Sequence, residues 1–171
     1  MRGADLDAEE LKRLLGLVPL APEGGHFAET YRSPVSLPAG AIGGAWTAPR
    51  ALATAIYYLL TPGTCSALHR LRSDEIFHFY LGDPVEMLQL PPGGEGRIVV
   101  LGTDLVSGMR PQVVVPAGVW QGMRLRPGGG LALLGTTVSP GFDPRDLEIG
   151  ERGALTAAFP NFQDRIAALS P

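Results

Sequence analysis

Between about residue 26 and Thr137 apolar and polar residues alternate with a period near two, the repeat of strands that bury one face. The pattern predicts strands over 26–32, 52–61, 65–71, 75–81, 85–90, 97–101, 112–115, 119–125 and 131–138. The breaks between them are strong turn sequences: Pro62-Gly63, Gly82-Asp83-Pro84, Pro91 to Gly94, Pro116-Ala117-Gly118 and Pro127 to Gly130. Short strands punctuated this closely predict a β-sandwich or barrel. The period changes only at the two ends. Over 6–16, Asp7 and Glu10 stand at capping-box spacing, Leu6 and Leu11 suit a hydrophobic staple, and Gly16 and Pro19 supply the stop. Leu11, Leu14 and Leu15 form a narrow stripe suited to the outside of a sheet. Over 161–169, Phe162, Ile166 and Leu169 share one helical face.

Composition narrows the class. A chain of 171 residues with 45% hydrophobic and 18% charged residues is long and apolar enough for one folded domain, 1–171. Gly 23 and Pro 16 suit many turns. A net charge of −3 without a Lys/Arg run argues against nucleic acid or an anionic membrane as partner. Pro62-Gly63 breaks the uncharged stretch 51–68, which reads as two strands and not a membrane span. The acidic start lacks a secretory pattern, and the single Cys65 forms no internal disulfide, so a cytoplasmic protein is expected.

The candidate chemistry lies in GTCSALHRLRSDEIFHFYLG, Gly63 to Gly82. His69 and Glu75 flank a short polar turn and can converge inside a barrel. Alternation sets Ala67, His69 and Leu71 on one face, and Glu75, Phe77 and Phe79 on one face of the next strand. After Gly118, it groups Val119, Gln121 and Met123. The expected pocket is His69, Glu75 and Gln121 among Leu71, Phe77, Phe79 and Met123, a few polar groups in an apolar cavity. Ile76, His78, Tyr80 and Trp120 should face outward, a set aromatic enough to predict a homodimer interface. His26 reads as structural or rim-exposed, and Cys65 as a small buried hydrophobe.

Gly63, His69, Glu75 and Gly82 lie on the spacing of the first cupin motif, with Leu71 in place of its second histidine. Pro116, Ala117 and Gly118 match the second motif, with Gln121 at its histidine position. With PEGGHFAETYRSP at 22–34, SDEIFHFYLG, VVVPAGVWQG and SPGFDPRDLEIG at 139–150, the chain resembles the cupin-5 branch of the cupin superfamily over about 10–170. The resemblance implies an all-β fold, the double-stranded β-helix or cupin jelly roll, with short terminal helices. It also implies that segment 26–32 can extend a partner's sheet.

Cupins commonly hold a metal on three histidines and a glutamate. This chain keeps one of each, so no tight metal is expected. A weak divalent ion would fall to His69, Glu75 and Gln121. The metal-free alternative resembles the sugar-nucleotide 3,5-epimerases: His69 as base, Glu75 fixing its tautomer, and Tyr58 or Tyr31 as acid. The leading expectation is a metal-independent epimerase or isomerase acting on a sugar-like or other polar metabolite. A non-catalytic module binding a small ligand such as a sugar is the rival. A metal-dependent oxygenase or isomerase with a reduced site is the third.

Overall fold

The computed structural model describes residues 7–41, 43 and 46–170. Its elements begin with α1 (Ala8–Leu15), β1 (Val18–Pro19), β2 (His26–Arg32), β3 (Ser36–Leu37), β4 (Arg50–Ala51) and β5 (Thr54–Leu60). Then follow β6 (Cys65–Arg70), β7 (Asp74–Gly82), β8 (Val85–Leu90), β9 (Arg97–Leu101), β10 (Gln112–Val115), β11 (Trp120–Leu125) and β12 (Ala132–Ser139). The chain closes with β13 (Glu148–Ile149), α2 (Arg152–Ala158) and α3 (Gln163–Ala168). One sheet has the order β1-β2-β5-β12-β7-β10 and the other β13-β6-β11-β8-β9, while β3 and β4 pair apart. This is the double-stranded β-helix expected from the sequence.

The inner faces of the two sheets pack unevenly along the strands. On β12, Ala132 and Leu134 are buried in the main core, whereas Thr136 and Val138 on the same face line a cavity. On β5 the order repeats, with Leu60 in the core, Tyr58 at the boundary, and Ile56 and Thr54 along the cavity wall. Large side chains such as Phe77, Met87, Leu101 and Met123 close one end of the barrel. The other end stays open because smaller and polar residues take the inward positions there.

Each sheet is covered outside by terminal helices. α1 is capped by Asp7, whose Oδ1 accepts from the Glu10 amide at 2.7 Å, and it ends on left-handed Gly16 at φ 65°. Leu11 packs with Leu17, Leu59 and Leu133, and Leu15 lies partly buried against them. Leu14 is exposed, so the stripe is narrower than its spacing predicts. The proposed staple residue Leu6 lies outside the described residues. α2 and α3 bring Leu155, Ile166 and Leu169 onto Leu68, Leu88 and Leu90 of the second sheet. Each of these burials contributes about 1.5–3 kcal/mol. The sequence pattern misses α2 because RGALTAA offers Leu155 alone for burial and carries Gly153 within it. Its start is secured by Glu151, which accepts from the Gly153 and Ala154 amides at 2.8 and 2.6 Å.

Trp120 does not join the outward set of the first sheet. It belongs to the other sheet, packs against the α2–α3 cluster, and carries the Arg70 guanidinium at 4.4 Å from its ring. Ile76, His78 and Tyr80 remain on the outer face of β7. There Tyr80 packs edge-on to Tyr57 and lies over Gly135, where a Cβ would collide with its hydroxyl.

Candidate functional site

β6 and β11 are neighbours, and their register sets His69 opposite Gln121. Both side chains are 1% exposed. The His69 ring is oriented by its own strand: Nδ1 lies 2.7 Å from the Ala67 carbonyl oxygen, which can only accept. In the neutral ring the proton therefore sits on Nδ1, and Nε2 carries the lone pair. Gln121 Nε2 donates to that nitrogen at 3.3 Å and to Glu75 Oε2 at 2.5 Å, linking the two sheets across the barrel. Both neighbours are acceptors, which fixes the orientation of the amide. Gln121 Oε1, buried, has no hydrogen-bond partner among the described residues.

Glu75 does not set the tautomer of His69, as the sequence led us to expect. Gln121 stands between them, and the Ala67 carbonyl does the orienting. Burial raises the Glu75 carboxyl to about 7 from an ordinary 4.5. His69 opposes that rise, the nearby Glu23 carboxylate adds to it, and hydrogen bonds from Thr136 and Gln121 oppose it. A carboxylic acid that titrates near neutrality can give or take a proton at physiological pH.

Glu23 enters from the loop between β1 and β2. Its carbonyl oxygen accepts from the Ala67 amide at 2.7 Å, and Oε1 accepts from Ser66 Oγ at 3.0 Å. The same Oε1 lies 3.7 Å from His69 Nε2. Gly24 and Gly25 make this approach possible. At φ 103° and 70°, a Cβ would strike the Cys65 carbonyl oxygen at the first and the Tyr58 ring at the second.

These groups border a cavity of about 60 Å³, enough for a compact ligand or a few waters. His69, Glu75, Tyr58, Phe77 and Leu71 line it as the sequence suggested, joined by Glu23, Glu29, Phe27, Thr136 and Phe142. Gln121 stands behind His69 and Glu75 through its hydrogen bonds. Phe79 and Met123 do not line the cavity. They lie farther along their strands, in the apolar packing that closes the barrel. Tyr58 is in the wall, but its hydroxyl donates to the Gly24 carbonyl oxygen at 2.9 Å, and burial holds it well above its ordinary range. Its proton is thus committed to the protein. Tyr31 is half exposed and points away: an irregularity between Glu29 and Tyr31 in the β2–β5 ladder turns it to the outer face, opposite Ala55. The period-two pattern of β2 could have nominated Phe27 and Glu29. Glu23 had no such signal beyond its neighbouring glycines.

The donor set does not fit a three-histidine, one-glutamate metal. Leu71 sits in the cavity wall where a second imidazole would be needed. Gln121 presents an amide N–H₂, which has no lone pair for a cation. Among the described residues no three His, Cys, Asp or Glu side chains converge as a metal site. The described residues also include no helix long and apolar enough to cross a membrane.

Residues 9–150 match the family described as Cupin_5, Cupin superfamily (DUF985). Protein SO0799 from Shewanella oneidensis is 34% identical, with TM-score 0.84 over 97% of this chain and 98% of that one. A hypothetical protein from Leishmania major is 31% identical, with TM-score 0.86 over 96% and 99%. The uncharacterized protein YML079W of Saccharomyces cerevisiae is 32% identical over 132 residues, 72% of this chain and 66% of its own length. The match thus spans a little under two thirds of the yeast protein. The chain belongs to the Cupin_5 family of the cupin superfamily.

Proposed function

From this membership we propose that the protein binds a small polar metabolite in the barrel and catalyses a metal-independent epimerisation or isomerisation of it. The observation that carries the proposal is the pairing of two proton carriers at one cavity wall: an imidazole whose Nε2 holds the lone pair, and a buried carboxyl titrating near 7. His69 Nε2 takes a proton from a carbon made acidic by an adjacent carbonyl. The imidazolium then has Glu23 Oε1 within 3.7 Å to stabilise it. Glu75, protonated and on the same side of the cavity as His69, returns a proton to the neighbouring carbon. Exchange with water at the mouth resets both groups. Glu75 replaces Tyr58 as the acid because the Tyr58 hydroxyl is engaged by Gly24.

The test is exchange of substrate C–H for deuterium in D₂O, followed by NMR over a panel of small hydroxy-carbonyl compounds. Exchange should be present with the native protein and fall about 10²–10⁴-fold in His69→Ala and Glu75→Gln. Saturable binding with no exchange across the panel would favour the non-catalytic ligand-binding reading.

We also propose that the protein is a homodimer through the outer face of the first sheet. Tyr31, Ile76, His78, Tyr80 and Val114 lie there without a charged side chain among them, so this patch does not repel its own copy across a two-fold axis. Light scattering should return a dimer mass at micromolar concentration and a monomer mass for Tyr80→Glu. A monomeric native protein would overturn the assignment.

A further inference from the structure

The charges around the cavity are one-sided. Among the described residues its lining holds three acidic side chains, Glu23, Glu29 and Glu75, and no lysine or arginine. Arg32 reaches the mouth, but its Nε and Nη2 donate to Glu29 at 3.0 and 2.6 Å, and Nη1 donates to the Phe142 carbonyl oxygen at 3.2 Å. Arg32 and Glu29 thus neutralise each other, which leaves Glu23 and, above neutral pH, Glu75 as the charges facing the cavity. The polar groups not spent on the protein are mainly acceptors: His69 Nε2, which takes only one long bond, the Glu23 carboxylate and, behind the wall, Gln121 Oε1. Apart from the hydroxyls of Thr54, which accepts from the Phe142 amide, and Thr136, which bonds Glu75, the rest of the wall is apolar, from Leu20, Phe27, Ile56, Leu71, Phe77 and Val138.

We infer that the cavity selects a small neutral or cationic molecule rich in hydrogen-bond donors, an alcohol or protonated amine on a short apolar arm, and rejects carboxylates and phosphates. The inference rests on the cavity being the ligand site. Two acceptors or two like charges brought together in a desolvated site repel, whereas a donor or an ammonium satisfies the same groups. A nucleotide-sugar diphosphate is therefore the wrong substrate class for this barrel, and a free hydroxy-carbonyl or amino-carbonyl compound without an anionic group the right one.

Three probes on the same carbon skeleton test this: isobutylamine, isobutanol and isobutyrate, each titrated at pH 8 and followed by the NMR signals of His69. The expected order is amine, then alcohol, then acid, with about tenfold or more between the extremes. In Glu23→Gln the amine should lose about tenfold while the alcohol changes little; an unchanged ratio would remove Glu23 from the selection. Isobutyrate binding as tightly as isobutylamine would overturn the inference and leave the ligand site standing. No saturable response to any of the three would remove the ligand-site reading and the inference with it.

Discussion

Among the described residues, two of the polar clusters buried in this barrel are built in opposite ways. Around Arg50, beside the loop that follows β12, every nitrogen of the guanidinium is used. Nε and Nη2 donate to Asp146 at 2.7 and 2.9 Å, Nη1 donates to the Ala48 and Pro49 carbonyl oxygens at 3.0 Å, and Trp46 lies against the group. Around His69 the network is incomplete. One long bond reaches Nε2, the Gln121 oxygen has no partner among the described residues, and Glu75 is a carboxyl that burial makes reluctant to ionise. The first cluster spends its hydrogen-bonding capacity on the fold. The second keeps some in reserve at a cavity, which is the arrangement expected of a site.

The largest test of that contrast is Arg50→Ala. It leaves Asp146 buried without its cation and should cost about 3–5 kcal/mol in urea unfolding, with affinity for the cavity probes unchanged. A loss below about 1 kcal/mol would mean that water reaches the pair and would blur the distinction.

Glu75→Gln should act mainly through pH. A carboxyl near 7 in the fold and near 4.5 in the unfolded chain binds more protons when folded between those values. Native stability should therefore fall as pH rises from about 4.5 to about 7, by up to about 3 kcal/mol, and level off above. Glu75→Gln should lack this slope and should be the more stable protein at pH 8, while losing turnover. Urea titrations at pH 4.5, 6 and 8 read the difference. A native protein with no slope in this window would make the His69 cluster as fully satisfied as the Arg50 one.

Chelation should have the smallest effect. Dialysis against EDTA should leave the melting temperature within about 1 °C, because the site offers too few donors to link a metal ion to folding. A fall of several degrees, restored by one divalent ion, would return the site to metal chemistry with Glu23 as an added ligand.

The fold was the legible part. The strands at 26–32, 85–90, 97–101 and 112–115 stand where alternation predicts them, and others differ by a residue or two at their ends. The site was legible where it follows a strand's period. His69, Leu71, Glu75, Phe77 and Tyr58 reach the cavity for that reason. It was illegible where the period breaks or where a loop supplies the group. The irregularity after Glu29 sends Tyr31 outward, and Glu23 arrives from a turn with no periodicity of its own. Phe79 and Met123 share a face with the site residues but lie at the packed end of the barrel, a distinction that alternation does not make.

Local patterning determined the β architecture and the helices α1 and α3, because burial of one face and the chemistry of caps and Pro/Gly turns are written in adjacent residues. The paired motifs brought His69, Glu75 and Gln121 forward as candidates. Only the tertiary structure decided what those residues are to one another. The tautomer of His69, the bridging amide of Gln121, the raised Glu75 carboxyl and the presence of Glu23 all arise from contacts between segments distant in sequence. A titration or a hydrogen bond depends on separation, orientation and access of water, and these are set only when the two sheets close on each other.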